Sequence, residues 1–247
     1  MSGHSKWHSI KHKKAIVDAR RGKAFTKVIK ELQIAARLGG SDPASNPRLR
    51  TAIQAAKDVN MPKDTIERAV KKGAGELEGS ELVEMTYEGY GPSGIAIMVE
   101  VTTDNRNRTA GEVRHIFTKY GGNLGSTGCV GYLFERKGII DAEFGDEEKV
   151  LEVALEAGAE DVHSDQGYHE IVTAPDEVQS VREALEAAGI KVTSSGVKRL
   201  PTTTTTLEAE EAKAVAKLLG KLEENDDVDE VYHNMEVSAD VAAELGI

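Results

Sequence analysis

The sequence predicts an α+β protein: an N-terminal helical bundle followed by two α/β sandwich domains, the last ferredoxin-like and inserted into the middle one. Three observations carry this reading. Apolar residues recur at helical spacing as far as Gly73. Beyond it they alternate with a period of two, as half-buried strands do. Residues 138–200 then read as a complete βαββαβ unit, the ferredoxin-like order. Of the 247 residues 39% are apolar but only 4% aromatic, which suits several small aliphatic cores better than one large one. The expected domains are a basic arm and helical bundle over 1–78, a discontinuous α+β domain of 79–136 plus 205–247, and a ferredoxin-like domain over 137–204.

Residues 1–24 are basic and weakly apolar and read as an arm, ordered on a partner. Phe25, Val28, Ile29, Leu32 and Ala36 then line one face of a helix that Gly39-Gly40 stops. Asn46-Pro47 marks the next helix start, with proline at the first helical position. Leu49, Ile53 and Ala56 form its apolar stripe. Pro62 opens a third helix carrying Ile66, Ala69 and Val70, and Gly73 ends it. Val83, Met85 and Tyr87 alternate next, then Ile95, Ile97, Val99 and Val101. An amphipathic helix with Val113, Ile116, Phe117 and Tyr120 follows, ended by Gly121-Gly122. Val130, Tyr132 and Phe134 predict another strand. Within the βαββαβ unit the strands fall near 138–143, 160–164, 168–173 and 190–197, and the helices near 147–157 and 176–188. After an extended threonine run, Thr202 to Thr206, come a helix through Val215, Leu218, Leu219 and Leu222 and a strand near 228–233. Having no neighbours of their own, these two are expected to return to the 80–135 sheet.

The net charge of −11 conceals a division. Residues 1–75 hold 17 Lys+Arg against 6 Asp+Glu, whereas residues 76–247 hold 14 against 36. Electrostatic attraction reaches only about 8–10 Å at physiological salt, so a basic head can hold phosphates while an acidic body orients them. No apolar run approaches the ~20 residues needed to cross a bilayer, and the opening residues lack a secretory signal. A single cysteine, Cys129, excludes an internal disulfide framework. A cytoplasmic protein with no membrane partner is expected.

Other motifs point to structure rather than chemistry. Gly89-Tyr90-Gly91-Pro92-Ser93-Gly94 matches a dinucleotide fingerprint, but a strand follows where a helix is required, so a hairpin is expected. His4, His8 and His12 have ligand spacing, yet they lie among lysines that repel a dication, and phosphate contact is the better reading. Cys129 sits in an apolar alternation and reads as a core residue. The glycines at 121, 122, 125, 128 and 131 suggest a phosphate cradle, but no Gly-Lys-Ser/Thr follows, so a close-packed turn is expected. Asp104-Asn105-Arg106-Asn107-Arg108-Thr109 reads two ways: a helix cap, and a corner from which Arg106 and Arg108 grip an anion. No metal, cofactor or catalytic site is expected, and the protein is read as a non-enzyme.

Several of these segments resemble the YebC family. Gly3-His4-Ser5-Lys6-Trp7, Ile10-Lys11-His12-Lys13-Lys14, Asn46-Pro47-Arg48-Leu49-Arg50, Asn60-Met61-Pro62-Lys63-Asp64, Tyr87-Glu88-Gly89-Tyr90-Gly91-Pro92, Thr103-Asp104-Asn105-Arg106-Asn107-Arg108-Thr109 and Gly121-Gly122-Asn123-Leu124-Gly125 carry the likeness. Cys129 departs from it, standing where that family usually has serine. The resemblance implies three domains, no catalysis and a probable DNA-binding transcriptional regulator. It also implies a second reading, a ribosome- or RNA-associated translation factor, since mitochondrial relatives look like translational activators. Nucleic acid, DNA or ribosomal RNA, is thus the expected partner of a monomer or weak oligomer, with the ribosome as a further one. The candidate nucleic-acid-binding residues are Lys6, Trp7, His8, Lys11, His12, Lys13, Lys14, Arg20, Arg21, Lys23, Lys27, Arg48, Arg50, Lys63, Arg106 and Arg108.

Overall fold

A computed structural model describes residues 17–78, 81–143, 146–165, 167–238 and 240–242, and of residues 17–24 the backbone alone. The described chain divides into two compact units: Phe134–Thr202, and the residues before and after that span.

The larger unit begins with three helices, α1 (Val17–Gly39), α2 (Pro47–Asp58) and α3 (Lys63–Gly73). Helix α1 starts inside the segment expected to be an arm. Nothing in 17–24 opposes a helix except Gly22, and Ala19, Lys23 and Ala24 are good helix formers. Leu32, Ala35 and Ala36 of α1 meet Leu49, Ala52 and Ala56 of α2 and Ile66 and Ala69 of α3. The many alanines let the helices approach closely. Gly73 is where α3 comes nearest α1: a Cβ there would lie 2.2 Å from the Gln33 carbonyl oxygen. Asn46 ties the bundle together. Its Oδ1 accepts from the Leu49 amide at 3.0 Å, capping α2, while its Nδ2 donates to the carbonyls of Ala35 and Gly40 at 2.8 Å.

A four-stranded sheet completes this unit. Strand β1 (Val83–Tyr90) pairs with β2 (Ala96–Thr103) through the expected hairpin, whose turn places Ser93 and Gly94 at positive φ. Helix α4 (Arg106–Lys119) follows, and a short strand β3 (Asn123–Leu124) pairs with Gly89 and Tyr90. The strand expected through Val130, Tyr132 and Phe134 is not formed. Residues 131–133 make one 3₁₀ turn, because the Glu88 carboxylate captures the neighbouring amides that a strand would pair elsewhere.

In the smaller unit β4 (Phe134–Glu143), α5 (Glu147–Glu156), β5 (Asp161–Asp165), β6 (Tyr168–Thr173), α6 (Val178–Ala187) and β7 (Lys191–Pro201) give the ferredoxin-like order. All pairs are antiparallel, with sheet order β5-β6-β4-β7. Ile140, Ala142 and Ile171 meet Val150, Ala154, Val181 and Leu185 from the two helices.

Beyond Thr202 the chain returns to the larger unit. Strand β8 (Thr205–Thr206) pairs with β10 (Met235–Glu236). Between them, α7 (Ala209–Glu223) packs beside α4, and β9 (Val228–His233) pairs antiparallel with β2, with a register shift at Glu100/Val101. The order β3-β1-β2-β9 makes β2 a central strand. Its Ile97, Val99 and Val101 are buried, as are Val113 and Phe117 of α4 and Val215 and Leu218 of α7.

Candidate nucleic-acid interface

The bundle's cations divide into two sets. Lys27, Lys30 and Arg37 of α1 and Arg48 and Arg50 of α2 turn to oxygens of their own unit. Lys27 Nζ donates to the Asp229 carbonyl and stands 3.9 Å from Glu230. Lys30 Nζ donates to the carbonyls of Thr102 at 2.8 Å and Asp226 at 2.7 Å, and lies 3.6 Å from the Asp227 carboxylate. Arg37 pairs with Glu81 at 2.6 Å. The Arg48 guanidinium takes both oxygens of Glu31, at 2.7 and 2.8 Å, and reaches Glu84 on β1 as well. These hydrogen bonds raise its pKa further, against the opposing effect of burial. Arg50 donates to the carbonyls of Pro43 and Ala44 at 2.6 and 2.9 Å, bracing the α1–α2 loop.

The second set faces solvent. At 100° per residue, α3 turns Ile66 and Ala69 inward and spreads Lys63, Arg68, Lys71 and Lys72 across its outer arc, with Asp64 and Glu67. Lys63 is 3.6 Å from Glu67, but its side chain is 87% exposed, so the pair is weak. Arg68, Lys71, Lys72 and Lys57 at the end of α2 have no ion pair with the described residues. These four were absent from the sequence-based candidates. Their signal was present in the alternation of cations with the buried Ile66 and Ala69, and the more conspicuous N-terminal lysines masked it.

Of the other candidates, Lys6, Trp7, His8, Lys11, His12, Lys13 and Lys14 lie outside the described residues. Arg20, Arg21 and Lys23 stand on α1, where the backbone alone is described. The loop at 104–109 separates its two arginines. Asn105 caps α4, its Oδ1 accepting from the Arg108 amide at 3.1 Å. The Arg108 side chain turns back to Asp104 at 3.1 Å and Asp227 at 2.7 Å. Arg106 is exposed and has no hydrogen bond or ion pair with the described residues.

Asp227 is the centre of this corner. Buried at 9% exposure, it accepts from Thr109 Oγ1 at 2.7 Å and Thr103 Oγ1 at 3.1 Å as well as from Arg108. Burial pushes its carboxyl up, but Arg108, Thr109 and Lys30 outweigh this and hold it below the usual carboxylate range. Two residues on, burial pushes Asp229 up to about 6, against the opposing effects of Thr102, Lys30 and Lys27.

The glycine-rich stretch is a nest already filled from within. The amides of Gly128, Val130 and Gly131 donate to the Glu88 carboxylate at 2.8, 2.8 and 2.7 Å. An internal carboxylate thus takes the place an external phosphate would need. Cys129 is half-buried in this loop instead of lying in a strand. Burial, and then the Glu88 charge, push its thiol up, away from the reactive thiolate.

These features define an α+β protein with a cationic helical front on a sheet body whose acidic groups hold several of its lysines and arginines. The chain belongs to the TACO1/YebC family: residues 5–76 match the model of the TACO1/YebC protein N-terminal domain, and residues 82–235 that of the TACO1/YebC second and third domain. A relative from Persephonella marina, named a probable transcriptional regulatory protein, is 58% identical over 96% of this chain and 97% of its own. One from Klebsiella pneumoniae, similarly named, is 55% identical over 99% of this chain and 100% of its own. A crystal structure of a conserved hypothetical protein from Aquifex aeolicus is similar at a TM-score of 0.87 and 54% identity, covering 95% of this chain and 98% of that one.

Proposed function

We propose that the protein is a non-enzymatic, nucleic-acid-binding regulator of gene expression that holds the phosphate backbone with its helical front, acting as a DNA-binding transcriptional regulator. The observation that carries this is the outer arc of α3, where Lys63, Arg68 and Lys71 face solvent, with Lys72 half-buried at its edge, in a protein whose net charge is −11. The names of the relatives support regulation of transcription. The basic segment Lys6–Lys23 adds further phosphate contacts, and Arg106 supplies one from the sheet body.

One observation favours a translation factor bound to ribosomal RNA. The described outer arc of α3 offers lysines and an arginine, which suit phosphates and guanine edges, but no asparagine or glutamine with which to read adenine in a major groove. Backbone contact of this kind suits RNA as well as DNA.

Crosslinking in cells, followed by sequencing of the recovered nucleic acid, distinguishes the two: promoter DNA supports transcription, ribosomal RNA supports translation. In vitro, exchanging Arg68, Lys71 and Lys72 together for glutamine is expected to make the salt dependence of binding shallower by about 0.7–0.9 for each phosphate no longer neutralised. An unchanged slope would remove α3 from the interface.

A further inference from the structure

The glycine loop that Glu88 fills raises a question the bundle does not answer. A buried carboxylate is costly to place, and this one is spent on holding a surface loop. Glu88 is 6% exposed, and besides the three amides its carboxylate binds, its own carbonyl accepts the Gly125 amide at 2.8 Å. The loop from Gly125 to Gly131 is therefore fixed at both ends to one residue of β1. What it presents is aromatic. Tyr132 is 72% exposed, the most exposed of the large apolar side chains among the described residues. Tyr90, itself 37% exposed, donates its hydroxyl to the Cys129 carbonyl of the same loop at 3.0 Å. Two tyrosines thus stand together on a rigid support, with rings offered to solvent.

The surroundings favour an anionic partner. From Val113 to Phe134 the sequence has no aspartate or glutamate, although residues 76–247 hold 36 of them. The same end of the sheet carries a third tyrosine. Lys119 and Lys217 each place an ammonium 5.7 Å from the centre of the Tyr120 ring. The next residues abut the Tyr90 turn: a Cβ on Gly122 would lie 2.8 Å from the Tyr90 carbonyl oxygen, and one on Gly121 3.6 Å from Pro92. Exposed aromatic faces beside lysines, on a stretch of chain without acids of its own, have the composition of a stacking platform for unpaired bases. A base paired within a duplex cannot offer its face to such a platform.

We infer that Tyr132, at the end of the loop held by Glu88, and Tyr90 of β1 form a stacking site for an unpaired base of a single-stranded nucleic acid, with Lys119 and Lys217 beside its phosphates. This rests on the nucleic-acid reading above and adds that the preferred ligand is single-stranded. Stacking needs the ring and not the hydroxyl, so Tyr132→Phe separates it from a hydrogen-bonding role.

The test uses the full chain, a fluorescein-labelled single-stranded oligonucleotide, and a blunt duplex of equal length. Tyr132→Ala is expected to weaken single-strand binding by about 5- to 150-fold, the fold-change of removing one stack, with Tyr132→Phe close to wild type and the duplex affinity changed less than about twofold. A melting temperature equal to wild type confirms that the exposed ring was not supporting the fold. Equal losses on single strand and duplex, or no loss on either, would overturn the platform while leaving the phosphate-binding bundle in place. A wild-type chain that binds neither ligand overturns the nucleic-acid reading and the platform with it.

Discussion

The two four-stranded sheets reach similar order by opposite routes. The sheet of Phe134–Thr202 is built from one unbroken stretch of chain, and its buried polar groups find partners locally. His169 meets Ser164 five residues away, and Arg182 meets Glu186 and Ser195 at separations of four and 13. The sheet of β1, β2, β3 and β9 closes across the whole smaller unit. Its polar pins span it too: Asn234 Oδ1 accepts the Ala96 amide across 138 residues, and Asp227 accepts Thr109 across 118. An apolar pattern specifies which face of a strand is buried but not which distant strand becomes its neighbour. In this chain buried hydrogen bonds supply part of that choice, since each polar pin is satisfied in one register and orphaned in the others.

Truncation is the coarsest way to break the comparison. Residues 134–202 alone are expected to melt cooperatively, whereas a chain ending at Thr202 should lose the sheet of β1 and β2, as shown by loss of slow-exchanging amides over Ala96–Thr103. A chain that retains protection there would show that β9 is dispensable. Next in size is Asp227→Ala. Removing this carboxylate takes away the acceptor of the buried Thr103 and Thr109 hydroxyls, for an expected loss of about 1–3 kcal/mol by denaturant titration. The pH dependence follows. Because the Asp227 carboxyl is held below its ordinary value of 3.8, its contribution is present above pH ~4 and lost as pH falls through the folded value. Acid should therefore loosen this sheet, and the Asp227→Ala variant should show less of that sensitivity.

Asp229 works in the other direction. Its folded value, raised to about 6, means that its contribution is fully present below 3.8 and lost as pH rises towards 6. Asp229→Asn is expected to stabilise the protein at pH 7 by roughly 1–2 kcal/mol and to change little at pH 4. Equal effects at both pH values would assign the gain to packing. A finer contrast lies in the two corner arginines. Arg108→Gln should lower the melting temperature, because it leaves a buried carboxylate short of a partner. Arg106→Gln should leave melting unchanged, within ~0.5 kcal/mol, and weaken nucleic-acid binding. The reverse pattern would exchange their roles.

Much of the fold was legible because it follows local rules. Asn46-Pro47, Gly39-Gly40 and Gly121-Gly122 mark helix ends by capping and positive φ, and those signals need no tertiary information. The return of the last strand to the first sheet was legible by elimination, since an isolated helix and strand cannot bury their apolar faces. What local pattern hid were the electrostatic commitments. Arg48 and Lys27 look like phosphate contacts in sequence because the carboxylates and carbonyls that engage them, on Glu84 and around Asp229, lie 36 and 202 residues away. Arg68, Lys71 and Lys72 were passed over although their alternation with Ile66 and Ala69 is local, because the denser N-terminal lysines masked it. Val130, Tyr132 and Phe134 misled because the alternation is real, but Glu88, far off in sequence, takes the amides.

The position of β9 has a consequence for the order in which the protein can be made. Vectorial synthesis delivers β2 early and β9 near the end, with the ferredoxin-like unit between them. At about 5–20 residues per second the edge of β2 waits on the order of ten seconds for its partner. Through that interval a strand rich in Ile97, Val99 and Val101 presents an open hydrogen-bonding edge, the kind of template on which chains aggregate. The ferredoxin-like unit has no such delay and can close as soon as Thr202 emerges. The larger unit is thus open during its own birth for longer than the smaller one.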